Sequence, residues 1–430
     1  MDMMVIRGGA TLAGTVRVSG AKNAALPMMA AAMLADGQTR LRNVPDLMDI
    51  RTMAQLLRVL GVEVTRDGPD LLLEVKDQAP VEAPYQIMRT MRAGICVLGP
   101  LLARRRSARV SMPGGCAIGS RPIDLHIKGM VALGATAKVE HGYLECRTPR
   151  GLKGRDLYLG GPFGSTVLGT ANVLMAATLA KGTTLIESAA CEPEVQNLAR
   201  MLAAMGAKIE GIGTPRLTIT GVKRLEATTF ETIPDRIEAG TLLMAGALAG
   251  GRVTVENVCW EHLMAVLFHL EEMGVRMQRN GDRAITVFGR KRFRPVDVTT
   301  LAFPGYPTDL QAQLMTLLCL TDGISVVTEK IYPDRFMHVA ELNRMGAEIR
   351  KENNMAVVHG VKKLSGAPVM ASDLRASAAL VLAGLVAEGE TEVRRIYHLD
   401  RGYENLDQKL RTLGAKITRK EQPPGEVLKE

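Results

Sequence analysis

Apolar residues recur along this 430-residue chain at helical spacing and stop, six times, on one kind of phrase: Leu60-Gly61-Val62, Leu133-Gly134-Ala135, Met205-Gly206-Ala207, Met273-Gly274-Val275, Met345-Gly346-Ala347 and Leu413-Gly414-Ala415. Successive glycines lie 68 to 73 positions apart, so nearly the whole chain reads as one repeated unit. Ahead of each phrase the apolar spacing predicts an amphipathic helix, as in Ile50, Met53, Leu57 and Leu60, in Leu198, Met201, Leu202 and Met205, or in Leu406, Leu410 and Leu413. The glycine just past the last apolar position is the left-handed stop such a helix needs. A strand is expected next, for example over 62–65 or 416–418.

A second kind of segment precedes each amphipathic helix: 24–35, 93–103, 169–180, 240–249, 310–320 and 377–387. These are apolar on nearly every side, and a helix without a polar face must be buried all round. Six repeats divided three and three predict an α/β chain of two domains, each with three buried helices inside and strands and amphipathic helices outside. The division falls near Thr232-Ile233-Pro234, giving one domain over 22–232 and another over 1–21 plus 233–430, with the active site expected in the cleft where they meet. The opening stretch, 4–19, alternates like a strand and is able to pair with either half.

Composition narrows the class. The chain is 47% hydrophobic and 23% charged, enough apolar material for large cores. Its longest apolar run, 24–35, is shorter than the roughly 20 residues that cross a bilayer, so neither membrane insertion nor a secretion signal is expected. The six cysteines are far apart, without a C-x-x-C pair or a histidine at ligand spacing, which argues against a zinc site or disulfide framework and fits a reducing cytoplasm. A net charge of +9 suits an anionic partner, but aromatics are only 3% and the basic residues are scattered, against nucleic acid.

Each buried segment begins beside polar residues: Lys22-Asn23, 89–92, Ser165-Thr166, Asp235 to Glu238, Thr308-Asp309, and Asp373 to Ser377. Helix N-termini present free N–H groups and a positive dipole end, so these positions suit phosphate and carboxylate ligands. Within and around them lie Ser19-Gly20-Ala21-Lys22-Asn23-Ala24-Ala25-Leu26-Pro27, the loop from Pro113-Gly114-Gly115-Cys116 through Arg121-Pro122-Ile123-Asp124-Leu125-His126, Pro307-Thr308-Asp309, Arg335-Phe336-Met337-His338, Asp373-Leu374-Arg375-Ala376-Ser377 and Asp400-Arg401-Gly402-Tyr403-Glu404. Six motifs in this order, from end to end, resemble the UDP-N-acetylglucosamine 1-carboxyvinyltransferases, enolpyruvyl transferases related to the 3-phosphoshikimate 1-carboxyvinyltransferases.

The resemblance implies a two-domain inside-out α/β barrel. It also implies transfer of enolpyruvate from phosphoenolpyruvate to the 3-hydroxyl of UDP-N-acetylglucosamine with release of phosphate, the first committed step of peptidoglycan precursor synthesis. No cofactor, metal or obligate protein partner is implied. Adding an alcohol across an enol double bond requires one proton delivered to the methylene carbon and one removed from the hydroxyl. By the family pattern Cys116 is the donor and Asp309 the group beside the hydroxyl; an ordinary thiol, mostly protonated near neutrality, suits donation. Lys22, Arg121 and Arg401 gather at the phosphate of phosphoenolpyruvate with Asn23 nearby, and Arg375 and Arg401 lie at its carboxylate. Asn23, Arg92, Arg121, Pro122, Ile123, Asp124, Leu125, Gly164, Asp309 and Ile331 match nucleotide-sugar positions, Ile331 through its backbone. The other five cysteines are expected as buried small hydrophobes.

Two departures stand out. The family's diphosphate turn usually reads Ser-Val-Gly-Ala-Thr and here is Pro162-Phe163-Gly164-Ser165-Thr166; Cys191 stands where many relatives carry arginine. The competing readings are the same transfer to another acceptor, such as a different uridine nucleotide or shikimate 3-phosphate, and a nucleotide-sugar sensor without activity. Retention of Lys22, Cys116, Asp309 and Arg401 weighs against the sensor.

Overall fold

The computed structural model of the protein describes residues 2–112 and 123–421. These fall into two compact units, residues 2–19 with 234–421 and residues 20–112 with 123–233. Each unit holds one apolar core.

The repeat dictates the architecture of both. In the unit of 20–233 the central helices are Lys22–Ala31, Leu98–Arg105 and Val167–Ala177, and the last touches the other two. In the other unit they are Arg236–Leu248, Gln311–Leu318 and Leu374–Val386, each packed on the remaining two. From Ile237 to Leu248 every residue is buried, which is what a helix apolar on all sides requires. The fold is an inside-out α/β barrel: helices occupy the centre, and three four-stranded sheets per unit belong to the outer layer.

One repeat shows the wiring. After Gln311–Leu318 the strand Ile324–Glu329 pairs in parallel with Val298–Thr300 and antiparallel with Met355–His359, which pairs antiparallel with the edge strand Glu348–Glu352. The amphipathic helix His338–Arg344 connects the second strand to the edge strand through Gly346. All six phrase glycines adopt positive φ, from +77° at Gly61 to +106° at Gly414, a region closed to most side chains and needed to turn each helix into its edge strand.

The opening segment is two strands with different destinations. Asp2–Arg7 lies between Glu390–Arg394 and Lys416–Glu421, antiparallel to both, and takes the return-strand position of the sixth repeat. Leu12–Arg17 runs parallel to Gly251–Glu256 in the fourth.

The second buried segment departs from the expected single helix. It is a 3-10 stretch, Arg92–Val97, followed by the α-helix Leu98–Arg105. Pro100 fits the change: it has no N–H to give to the carbonyl four residues back, and it sits in the first turn of the α-helix, where that loss costs least. Beside it, Gly99 donates its N–H to Asn172 Oδ1 at 2.8 Å, and a Cβ there would stand 2.3 Å from the Asn172 carbonyl oxygen. Among the described residues no helix is long and apolar enough to cross a membrane.

Candidate active site

In the unit of 2–19 and 234–421, the starts of the three central helices converge on charge. Asp235 caps the first, its Oδ1 accepting from the N–H of Ile237 at 2.8 Å and of Glu238 at 3.1 Å. Asp309 sits in the 3-10 turn Thr308–Leu310 that leads into the second. Arg375 lies in the first turn of the third, capped by Asp373. Asp309 is held on both oxygens: Arg335 Nη1 reaches Oδ1 at 2.7 Å and Arg375 Nη2 reaches Oδ2 at 2.8 Å.

The two guanidinium side chains are 6% and 3% exposed, whereas a quarter of the Asp309 side chain still meets solvent. Burial opposes the charge on Asp309, but Arg375 and then Arg335 outweigh it and hold the carboxyl well below the usual carboxylate range. Burial likewise opposes the charge on Arg375, and Asp309 reverses that, raising its pKa. The guanidinium also lies over the Tyr403 ring at 5.3 Å, and the Tyr403 hydroxyl is fixed by Thr241 and Gln313. Arg375 Nε and Nη1 and Arg335 Nε are buried without a partner among the described residues. Unpaired buried donors of this kind are costly, and a bound anion would satisfy them.

Arg401 ends the 3-10 stretch Ile396–Arg401. Burial, and then the charge of Arg401, push the pKa of His398 down, while Asp373 pushes it up; Gly402, the next residue after Arg401, lies so close to Leu374 that a Cβ there would stand 2.5 Å from its side chain. Ile331 lies in a turn whose shape is set by Glu329: the Ile331 N–H goes to Glu329 Oε1 at 2.8 Å. Only its carbonyl is left to meet a ligand. Glu238 is structural, accepting from the Ser19 N–H at 2.8 Å and pairing with Lys409.

In the unit of 20–112 and 123–233, Lys22 begins a central helix and is buried, with its ammonium on Asp49 Oδ2 at 2.9 Å. An ammonium has three donors, so this pairing occupies one and leaves the charge partly neutralised. Asn23 beside it is exposed. Arg92 starts the 3-10 stretch, half-buried, near His126. Burial, and then the Arg92 charge, push His126 down to about 4. Its Nδ1 faces Asn172 Nδ2 at 2.9 Å; that amide also donates to the Ile95 carbonyl, so the neutral ring accepts at Nδ1.

Ile123 is buried, Asp124 exposed and Leu125 half-buried at the start of the helix Asp124–Ala132. Gly164, at φ +93°, lies in the hairpin of Gly160–Gly161 with Gly164–Ser165. The Thr166 hydroxyl caps the next helix by accepting from the Gly169 N–H at 3.2 Å, and Phe163 is exposed. Cys116, Arg121 and Pro122 lie outside the described residues.

Of the remaining cysteines, Cys96, Cys146 and Cys319 are buried, and burial pushes their thiols up to about 12, 11 and 12. Cys191 and Cys259 are only half-buried, against expectation. Both precede a helix start in a loop, where packing is incomplete. Sequence reasoning assigned no role to Arg335, Glu329, Asp49 or Asn172. Arg335 lay within a quoted motif, and its proximity to Asp309 was the signal that only folding reveals.

Known proteins resemble this chain along nearly its whole length. The family model for EPSP synthase (3-phosphoshikimate 1-carboxyvinyltransferase) matches residues 6–410. The UDP-N-acetylglucosamine 1-carboxyvinyltransferase of Anaeromyxobacter sp. (strain K) is 54% identical over 423 residues, covering 97% of this chain and 99% of that protein. The protein of the same name from Desulfatibacillum aliphaticivorans is 51% identical over 419 residues, covering 97% and 100%. Among solved structures, the enolpyruvyl transferase NikO from Streptomyces tendae superposes with a TM-score of 0.89 at 26% identity, over 98% of this chain and 99% of that one. EPSP synthase from Acinetobacter baumannii shares the fold, with a TM-score of 0.74 at 17% identity over 98% and 100% of the two chains. Sharing more than half of its residues with those relatives along almost its full length, the chain belongs to the UDP-N-acetylglucosamine 1-carboxyvinyltransferases, within the EPSP synthase family.

Proposed function

We propose that the protein transfers the enolpyruvyl group of phosphoenolpyruvate to the 3-hydroxyl of UDP-N-acetylglucosamine, in the cytoplasm, for peptidoglycan synthesis. The observation that carries this reading is the carboxylate of Asp309 gripped by Arg335 and Arg375, with further guanidinium donors buried and unpaired beside it. Such a group keeps Asp309 ionised, able to accept the hydrogen bond of a hydroxyl, next to donors that match a carboxylate or phosphate.

The sugar oxygen bonds to C2 of phosphoenolpyruvate as Cys116 delivers a proton to the methylene carbon. The adduct then returns a proton from the new methyl group to the Cys116 thiolate, the bond from C2 to the phosphate oxygen breaks, and the double bond is restored with phosphate released. Asp309 orients the attacking hydroxyl and takes its proton. Arg375 and Arg401 hold the substrate carboxylate, while Lys22, Arg121 and Arg401 offset the phosphate charge and Asn23 binds beside them. While Arg335 and Arg375 both hold it, Asp309 is a weak base; a substrate carboxylate drawing Arg375 away raises its basicity at the moment it is needed. The nucleotide sugar is met by Asn23, Arg92, Arg121 to Leu125, Gly164, Asp309 and the Ile331 carbonyl.

The test is phosphate release from phosphoenolpyruvate with UDP-N-acetylglucosamine, other uridine nucleotides and shikimate 3-phosphate offered separately. Release with UDP-N-acetylglucosamine supports the reading. Release only with another acceptor moves the substrate, and release with none defeats the transferase reading.

A further inference from the structure

Glu329 ends the strand Ile324–Glu329 and is fully buried. Among the described residues its carboxylate meets no cation. Four donors meet it instead. Oε1 accepts from the Thr300 hydroxyl at 2.6 Å, the Ile331 N–H at 2.8 Å and the Tyr332 N–H at 3.0 Å, and Oε2 accepts from the Thr308 hydroxyl at 2.9 Å.

The last contact has a consequence for Asp309. A threonine hydroxyl has one proton, and Thr308 gives its proton to Glu329. The Thr308 oxygen is left to accept from Arg335 Nη1 at 3.1 Å, and the same nitrogen gives its other proton to Asp309 Oδ1 at 2.7 Å. Glu329, Thr308, Arg335 and Asp309 thus form one directed chain in which each proton has a single place to go. The other end of the same carboxylate shapes the turn that presents the Ile331 carbonyl.

We propose that Glu329 is a positioning residue for the transfer reaction, orienting the Thr308 hydroxyl so that Arg335 is aimed at Asp309. The inference rests on the role given above to Asp309. An amide in place of the carboxylate separates the two ends. The Ile331 and Tyr332 N–H groups cannot turn away, so the amide oxygen of a glutamine stays with them and its NH2 faces Thr308. The Thr308 oxygen then accepts from the amide where its proton had gone to a carboxylate, so the proton is displaced and the charge-assisted bond that fixed the hydroxyl against Arg335 is lost. The damage is directed to Asp309 and not to the Ile331 turn.

Steady-state phosphate release tests this with Glu329→Gln, Thr308→Val, Thr308→Ser, the Glu329→Gln/Thr308→Val double variant and Asp309→Asn, each checked by thermal melting. The expected result is a kcat lower by on the order of tenfold to a hundredfold in Glu329→Gln, the range of one charge-assisted hydrogen bond, with KM for UDP-N-acetylglucosamine nearly unchanged. Thr308→Val falls as far, the double variant falls no further than either single one, and Thr308→Ser, which keeps the hydroxyl, recovers most of the rate. Should Glu329→Gln melt early, the Thr308 pair carries the same prediction with the carboxylate in place. A Glu329→Gln kcat within about twofold of wild type, or losses that multiply in the double variant, overturns the inference. Activity lost in Asp309→Asn but kept in Glu329→Gln overturns it alone, whereas wild-type protein that releases no phosphate overturns the transferase reading and takes this inference with it.

Discussion

Replacing Asp309 by Asn removes one charge from between two buried ones. The amide oxygen can still accept from one guanidinium, but its NH2 turns a donor toward the other, and both Arg335 and Arg375 keep their charges at 6% and 3% side-chain exposure. Removing one partner of a buried ion pair typically costs about 3–5 kcal/mol. A quarter of the Asp309 side chain reaches solvent, which softens the penalty, so the lower end, about 3 kcal/mol at pH 7, is expected. For a unit of this size that corresponds to a drop of roughly 6–12 °C in melting temperature. Urea denaturation followed by hydrogen exchange assigns the loss to the unit of 2–19 and 234–421, since two units need not unfold in one transition. The sign with pH is fixed by the depressed carboxyl of Asp309. Its stabilisation is fully present above the ordinary carboxylate value near 4 and is lost as pH falls through the lower folded one, so the gap between wild type and variant is flat from pH 6 to 8 and narrows below pH 4. A variant within about 0.5 kcal/mol of wild type at pH 7, a typical surface-substitution effect, would refute the reasoning, as would a gap that widens on acidification.

Cys116→Ser is expected to abolish or greatly slow phosphate release while leaving UDP-N-acetylglucosamine binding by calorimetry largely intact; unchanged turnover ends the proton-donor role. His126, held down to about 4, should show its NMR titration near that pH and not near 6.5. Because its neutral form is favoured in the fold, stability should fall as pH drops from 6.5 toward 4, and His126→Gln should remove that part of the slope. Gly99→Ala drives a Cβ to 2.3 Å from the Asn172 backbone oxygen, and overpacking of this kind costs about 1–3 kcal/mol, read as an earlier unfolding transition in the unit of 20–233.

The parts of the fold legible in the chain were those set by local pattern. The phrase glycines mark helix ends because only glycine takes positive φ there cheaply, and all six do. The buried segments were visible because an all-apolar helix has no stable place at a surface. The 3-10 stretch before Leu98 was not, although Pro100 was its local signal. The two destinations of the opening strands were open for a different reason: alternation predicts a strand but says nothing about which edge, hundreds of residues away, will pair with it.

For the chemistry, residue type and motif order pointed to Lys22, Arg375 and Arg401 as anion-handling groups and to Asp309 as the group beside the attacking hydroxyl. What those groups do to one another was decided by tertiary structure alone. Asp309 and Arg335 come from the fifth repeat and Arg375 from the sixth, and their mutual distances of 2.7 and 2.8 Å are what turn an ordinary carboxylate into one held ionised. Lys22 likewise reads as a free cation until folding sets it on Asp49, and Glu329 reads as an ordinary strand end until four donors close on it. The sequence by itself determined the repeat, the buried helices and the family, because these follow from periodicity and from motifs contiguous in the chain. Electrostatic coupling falls with distance in space, not along the chain, so pairing, burial and the protonation they impose belonged to the folded molecule.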